Sequence, residues 1–75
     1  MNPEAEMIAK ADAAQLEGAI AVLPSPFRET LVLRDLQGLD YKEIAQVTDA
    51  PLGTVMSRLA RARQRLIETI RSDER

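Results

Sequence analysis

Residues 51–63 of this 75-residue chain carry its most regular pattern and read Pro51-Leu52-Gly53-Thr54-Val55-Met56-Ser57-Arg58-Leu59-Ala60-Arg61-Ala62-Arg63. Each residue of an α-helix advances by about 100°, so that apolar residues spaced by three and four share one side. Five apolar residues of this region fall within an arc of roughly 80°: Val55, Leu59, Ala62, Leu66 and Ile70. The pattern predicts a long amphipathic helix, from about Leu52 to Ile70, whose apolar stripe is buried.

The side of this helix opposite the stripe is polar and carries Ser57, Arg61 and Gln64, with Met56 and Ala60 adjoining them. Short or bidentate side chains on an outward face are what a helix needs to contact base edges in the major groove of DNA. Cations on the flanks of the same helix would meet the phosphates on either side of the groove. This layout favours a DNA-binding helix.

The charge of the chain is unevenly distributed along its length. The formal net charge is −2. Residues 1–50 carry four basic and nine acidic side chains, whereas residues 51–75 carry six and three. Arg58 and Arg65 border one side of the apolar stripe, and Arg63 borders the other. A surface helix whose arginines pair with the acidic first half of the chain is the competing interpretation.

Three further helices are expected before this one. The first spans about Ala11 to Leu23, with Leu16, Ile20 and Leu23 on one stripe. Ser25 is expected to cap the second, whose first residue is Pro26 and which runs to about Leu36.

Gly38 is expected to end the second helix in the left-handed conformation. Asp40 and Glu43 form a capping-box pattern that opens a third, short helix reaching about Thr48. Ala45 is small enough for a close helix contact, and Asp49 tolerates the left-handed region that a tight turn needs.

The third and fourth helices, with their short connection, predict a helix-turn-helix unit whose interior is filled by Ile44, Val55 and Leu59. No stretch alternates apolar and polar residues over a strand length. We therefore predict an all-α, four-helix domain with a C-terminal helix-turn-helix, of the winged-helix-like DNA-binding class without a wing. The expected organisation is a flexible segment at residues 1–10, the domain at 11–70 and a flexible tail at 71–75.

Composition excludes several kinds of function. The chain has no cysteine and no histidine, which removes disulfides, thiolate or imidazole metal ligands and catalytic triads. Asp40 and Glu43 could form a carboxylate pair, but a helix cap explains them better, so we expect no enzyme, no cofactor and no metal. The longest apolar run, Ala19 to Leu23, is far too short to span a membrane, and Glu4 and Glu6 are unlike a signal peptide. A cytoplasmic protein is expected.

Five segments of the chain together resemble region 4 of bacterial extracytoplasmic-function sigma factors of the sigma-70 family: Leu23-Pro24, Arg28-Glu29, Leu31–Arg34, Gly38–Ala45 and Pro51–Arg63. The resemblance covers about residues 12–70. It implies a four-helix domain that docks on RNA polymerase through the β flap and inserts its last helix into the major groove of the −35 promoter element. It also implies an anti-sigma protein as a partner and no insertion into a membrane.

The resemblance assigns roles to ten residues. Those implied to approach bases or nearby backbone are Thr54, Met56, Ser57, Ala60 and Arg61, and Arg58 and Arg63 are implied to hold phosphates. Gly53 would allow close approach to the DNA backbone, and Arg34 and Tyr41 are further phosphate candidates.

The chain departs from the family pattern at the turn and on the outward face. Asp49 stands where the family often has glycine, and Thr48 and Ala50 replace bulkier apolar residues. Met56 replaces a frequent basic residue and Ala60 a larger or aromatic one, which favours contact with a thymine methyl over hydrogen bonds to guanine.

Two alternatives stay open: a sigma-like interaction module that binds an anti-sigma protein without contacting DNA, and a response-regulator output domain. The latter shares the spacing of Ile44, Ala45, Thr54 and Val55, although it lacks the Ser-Arg-Leu-x-Arg-Ala-Arg continuation.

Overall fold

The computed structural model describes residues 3–73, in which five α-helices and one π-helical turn alternate with short connections and no strand occurs. The elements are α1 (Pro3–Lys10), α2 (Ala13–Ala21), α3 (Ser25–Leu31), the π-helical turn (Val32–Leu36), α4 (Tyr41–Thr48) and α5 (Leu52–Asp73). The other four α-helices all contact α5. The predicted all-α class with a C-terminal helix-turn-helix is confirmed, with α4 and α5 as its two helices.

The core is built on the apolar stripe of α5. All five predicted stripe residues are buried, with Val55 and Ala62 completely inaccessible and Leu59 the most accessible at 3%. Ala19, Leu23 and Leu31 pack against this stripe from α2 and α3 and the segment that joins them. Ile67 is also buried, which makes the covered face of α5 wider than the sequence predicted.

Both segments that the sequence predicts to be flexible, residues 1–10 and 71–75, contain helix. Helix α1 occupies residues 3–10, and Ile8 lies partly buried against the core. Helix α5 continues past the predicted end at Ile70 as far as Asp73. Residues 1, 2, 74 and 75, which belong to the two expected flexible segments, lie outside the described residues.

Helix α2 begins two residues later than predicted, because Asp12 caps it. The Asp12 carboxylate accepts a hydrogen bond from the Gln15 amide at 2.7 Å, which satisfies one of the amides at the start of the helix. The helix ends at Ala21, before the predicted Leu23, although Leu23 is buried as expected.

The predicted cap of α3 was wrong. Ser25 is the first helical residue, and Pro24 is the N-cap without a side-chain hydrogen bond. The Pro24 carbonyl accepts hydrogen bonds from the amides of Phe27 and Arg28, both at 3.0 Å. Pro26 has no N–H, so the first turn of α3 contains one amide fewer that needs an acceptor. The Pro24 carbonyl accepts the next two amides, and no serine hydroxyl is needed.

The second half of the predicted second helix is a π-helical turn. The Gln37 amide donates to the Val32 carbonyl, five residues back, at 3.0 Å. Gly38 follows at φ 77°, and the amide of Leu39 reaches the Leu33 carbonyl at 3.0 Å. The Gly38 amide donates to the Arg34 carbonyl, four residues back, at 3.2 Å. This is the αL ending that glycine permits, so the predicted role of Gly38 is confirmed.

Local hydrogen bonds shape the helix-turn-helix as predicted. Asp40 and Glu43 form the capping box: each side chain accepts the backbone N–H of the other, at 2.8 and 3.0 Å. Asp49 lies in the left-handed region at φ 51°. The Ala50 amide then donates to the Ala45 carbonyl at 3.0 Å, and α5 starts two residues later.

Candidate nucleic-acid interface

The outward side of α5 is an exposed and nearly continuous surface, which we call the recognition face and define by six exposed residues: Gly53, Met56, Ser57, Ala60, Arg61 and Gln64. Met56 keeps 47% of its surface accessible, a large fraction for an apolar side chain. The buried stripe fixes the rotation of α5 about its axis. Since that stripe is inaccessible, the recognition face must point to solvent.

The first turn of α5 is open to an external group. The Val55 amide donates to the Pro51 carbonyl at 3.1 Å, and the amides that precede it in a helix have no acceptor within that helix. Gly53 lies in this turn, and a Cβ at this position would meet no atom within 4 Å. The fold itself therefore does not require glycine here.

Among residues 3–73, Arg61 of the recognition face and Arg58 on its flank have no acidic partner. Arg61 is exposed and Arg58 is half-buried. Within residues 3–73, neither of them forms an ion pair. The interpretation that the arginines of α5 pair with the acidic first half of the chain therefore fails for these two positions.

Arg63 does have such a partner. Its Nε donates to Asp35 Oδ2 at 3.0 Å, and its Nη2 donates to Asp35 Oδ1 at 2.6 Å. The side chains of Arg63 and Asp35 are 28% and 25% exposed, so the pair lies at the surface and is partly open to solvent. Its positive charge is already balanced by a carboxylate of the π-helical turn, which distinguishes Arg63 from the other phosphate candidates.

The two remaining candidates contact each other. The guanidinium of Arg34 lies over the ring of Tyr41 at 4.9 Å from its centroid, and Nη1 donates to the Leu39 carbonyl at 2.9 Å. Both side chains are half-buried. This contact joins the π-helical turn to the start of α4.

Sequence reasoning missed the partners of two arginines. Asp35 was not singled out, because it is 28 residues from Arg63 in the chain and no local pattern links them. Arg65 lies over the ring of Phe27 at 5.2 Å, a contact between α5 and α3 that also joins distant residues.

The chemistry available on this surface is that of binding. Guanidinium groups, a hydroxyl, an amide side chain and a methionine lie on one rigid helix. Among residues 3–73, no cluster of three or more acidic, histidine or cysteine side chains could hold a metal ion. In the same part of the chain, no helix is both long enough and apolar enough to cross a membrane.

Comparison with known proteins gives consistent matches. The family model described as Sigma-70, region 4 matches residues 13–66. The chain is similar to the ECF RNA polymerase sigma-E factor of Haemophilus influenzae, with 40% identity over 63 residues. It is 43% identical over 63 residues to the factors of the same name from Salmonella typhimurium (strain LT2) and Escherichia coli (strain K12). Each match covers 84% of this chain and 33% of the relative, so the chain spans about a third of the length of these curated relatives.

Proposed function

Because the chain belongs to the sigma-70 region 4 family, we propose that it recognises the −35 element of promoter DNA and directs RNA polymerase to it. Helix α5 enters the major groove with the recognition face toward the bases. The observation that carries this proposal is Arg61, which is exposed on that face and has no ion-pair partner within residues 3–73. The role requires no catalysis and no cofactor, and it belongs in the bacterial cytoplasm, where promoter DNA lies.

The proposed contacts follow the order of residues along α5. Ser57 and Arg61 donate hydrogen bonds to base edges, since arginine pairs with the acceptors of guanine in the major groove. Met56 and Ala60 offer carbon atoms to a thymine methyl. Thr54 approaches the bases or the nearby backbone. These residues supply sequence preference.

Contacts to the DNA backbone orient the helix. The amides around Gly53 face a phosphate at the N-terminus of α5, where the helix dipole favours an anion. Arg58 meets a second phosphate from the flank. Arg63, Arg34 and Tyr41 remain phosphate candidates of lower rank, because each already has a partner within the domain.

The acidic first half supplies the surface for protein partners. Glu6, Glu17 and Glu29 are exposed on α1, α2 and α3, elements outside the helix-turn-helix. We infer that this side faces the β flap of RNA polymerase or an anti-sigma protein. Titration of the chain with a flap peptide and with an anti-sigma protein tests this assignment. If the chain binds neither of them, the assignment is wrong.

Selection of duplexes from a random pool, followed by fluorescence anisotropy on the selected and a scrambled duplex, tests the function. We expect the selected duplex to bind more tightly, with Arg61→Ala costing about 1–3 kcal/mol at one base pair and relaxing the preference there. Arg71→Ala is the matched control: it removes the same charge from an exposed site about 15 Å farther along α5. Equal losses for Arg61→Ala on both duplexes would remove Arg61 from base contact, and the absence of any preferred duplex would favour the interaction-module alternative.

A further inference from the structure

Two consecutive residues of the π-helical turn hold the two helices of the helix-turn-helix. Arg34 contacts α4 through the ring of Tyr41 at 4.9 Å and the connection before α4 through the Leu39 carbonyl at 2.9 Å. Asp35 contacts α5 through both oxygens of its carboxylate. The turn that precedes the helix-turn-helix is therefore bound to each of its helices by polar side chains.

The Asp35–Arg63 pair constrains orientation as well as distance. Two parallel hydrogen bonds between a guanidinium and a carboxylate fix the plane of one group relative to the other. A single hydrogen bond or a distant charge pair would leave that rotation open. About a quarter of each side chain stays accessible, so water and salt screen the pair only in part.

The position of Arg63 connects this constraint to the recognition face. Arg63 lies seven residues, or about two helical turns, after Met56 and within about 20° of the same side of α5. A change in the tilt of α5 at Arg63 therefore moves Met56 and its neighbours relative to the rest of the domain. Base contacts depend on distances of a few ångströms, so they are sensitive to small changes in the tilt of α5.

We propose that Asp35 is a positioning residue for base recognition: through Arg63 it sets the tilt at which α5 enters the groove. This inference rests on the proposed function. Asp35 also places a negative charge beside a cation of α5, which weakens attraction to DNA of any sequence. Its removal then has opposite effects on the two kinds of binding: affinity for the preferred duplex falls, and affinity for a random duplex rises.

The test compares the unmodified chain with Asp35→Ala and Asp73→Ala. Asp73 is an exposed acidic residue at the end of α5, about 15 Å beyond Arg63, so its loss changes the net charge equally at a site remote from the pair. For Asp35→Ala we expect the ratio of affinities, selected over random duplex, to fall about tenfold, within the range that one well-formed base contact provides. For Asp73→Ala the ratio should stay unchanged. A ratio preserved in Asp35→Ala would overturn the proposal.

The double variant Asp35→Arg with Arg63→Asp exchanges the two charges and keeps the net charge of the chain. If the pair acts through position, the exchange restores most of the lost ratio. If Arg63 acts as a phosphate contact instead, the exchange lowers affinity for both duplexes alike and the proposal is wrong. Asp35→Asn, which keeps the shape and one acceptor oxygen, serves where the alanine variant fails to fold, and its ratio should fall by a smaller factor.

A measurement without DNA separates this inference from the proposed function. Residual dipolar couplings of backbone amides give the angle between α5 and α3 in each variant. We expect that angle to change in Asp35→Ala and to return in the charge-exchanged variant. An unchanged angle would refute the positioning role even if the chain binds promoter DNA. A chain that prefers no duplex would refute the proposed function, and a changed angle in Asp35→Ala would then show only that Asp35 orients α5.

Discussion

At the scale of single residues, glycine occurs at three positions with different reasons. Gly38 is at φ 77°, a conformation that side chains with a Cβ rarely adopt. Gly18 and Gly53 have ordinary helical conformations and open space where a Cβ would be. Glycine weakens a helix relative to alanine, so its presence at these two positions is not explained by the fold. For Gly53, the proposed approach of a DNA backbone offers a reason.

Gly53→Ala therefore should separate stability from binding. We expect the free energy of unfolding to stay the same or rise by up to about 0.5 kcal/mol, because alanine favours the helix and meets no atom. Affinity for DNA should fall, because the added methyl occupies the space of the phosphate. Urea unfolding and fluorescence anisotropy measure the two effects.

Gly18→Ala is the matched control for this prediction. Gly18 lies inside α2, where alanine should add about 0.5–1 kcal/mol of stability. DNA affinity should not change. If Gly53→Ala also leaves DNA affinity unchanged, the proposed close approach at the start of α5 is wrong.

Asp49→Gly tests the left-handed turn. A residue with a Cβ is strained by about 1–2 kcal/mol in this region, a cost that aspartate partly recovers by local hydrogen bonding. Since Asp49 is at φ 51°, we expect glycine to raise the free energy of unfolding by up to about 1 kcal/mol. Thermal and urea unfolding measure it, and a loss of stability would show that the aspartate side chain contributes more than its strain costs.

At the scale of elements, short-range patterns were predictable and long-range ones were not. The capping box of Asp40 and Glu43 and the glycine ending of the second helix depend on residues three to six apart, and both are as the sequence predicted. The cap of α3 was wrong, because a prolyl carbonyl replaced the expected serine hydroxyl.

The π-helical turn and α1 escaped prediction for different reasons. One extra residue in a helical turn leaves no signature in apolar spacing, so Val32–Leu36 looked like ordinary helix. Helix α1 has only eight residues, and a helix of that length depends on packing against the rest of the molecule more than on its own sequence. In the candidate site, the exposed side of α5 was predictable from the apolar stripe on its opposite side. Asp35, the partner of Arg63, was not predictable, because it is 28 residues away in the chain.

Asp40→Ala tests the element whose start it caps. Loss of the carboxylate leaves the Glu43 amide without its 2.8 Å acceptor, and we expect a loss of about 1 kcal/mol in the free energy of unfolding. Asp40→Asn keeps an acceptor oxygen and should lose much less. Equal losses for the two variants in urea unfolding would mean that charge at the helix end matters more than the hydrogen bond.

At the scale of the whole molecule, the net negative charge alone would argue against binding to DNA. The total of −2 hides a last third of the chain that carries six basic and three acidic side chains. One of those cations, Arg63, is balanced by Asp35, which leaves few charges for phosphates. Under the proposed function, this chain alone should bind DNA weakly, and RNA polymerase would have to supply the missing affinity.

The salt dependence of binding measures how many phosphates the domain contacts. With three or four phosphates, the logarithm of affinity should fall with the logarithm of salt concentration at a slope of about −3 to −4. Arg58→Ala should make the slope shallower by about 1, while Arg71→Ala should leave it unchanged. An unchanged slope for Arg58→Ala would exclude Arg58 as a phosphate contact.

Helix α5 has 22 residues, and the four other α-helices all rest on it. One side of α5 therefore forms the core of the domain, and the opposite side is exposed and available for binding. Met56 and Ala60 are exposed and lie outside the buried core, so under the proposed function their exchange would change DNA contacts while the core stays the same. Substitutions on this exposed side of α5 could therefore change the promoters that related proteins recognise while their fold stays the same.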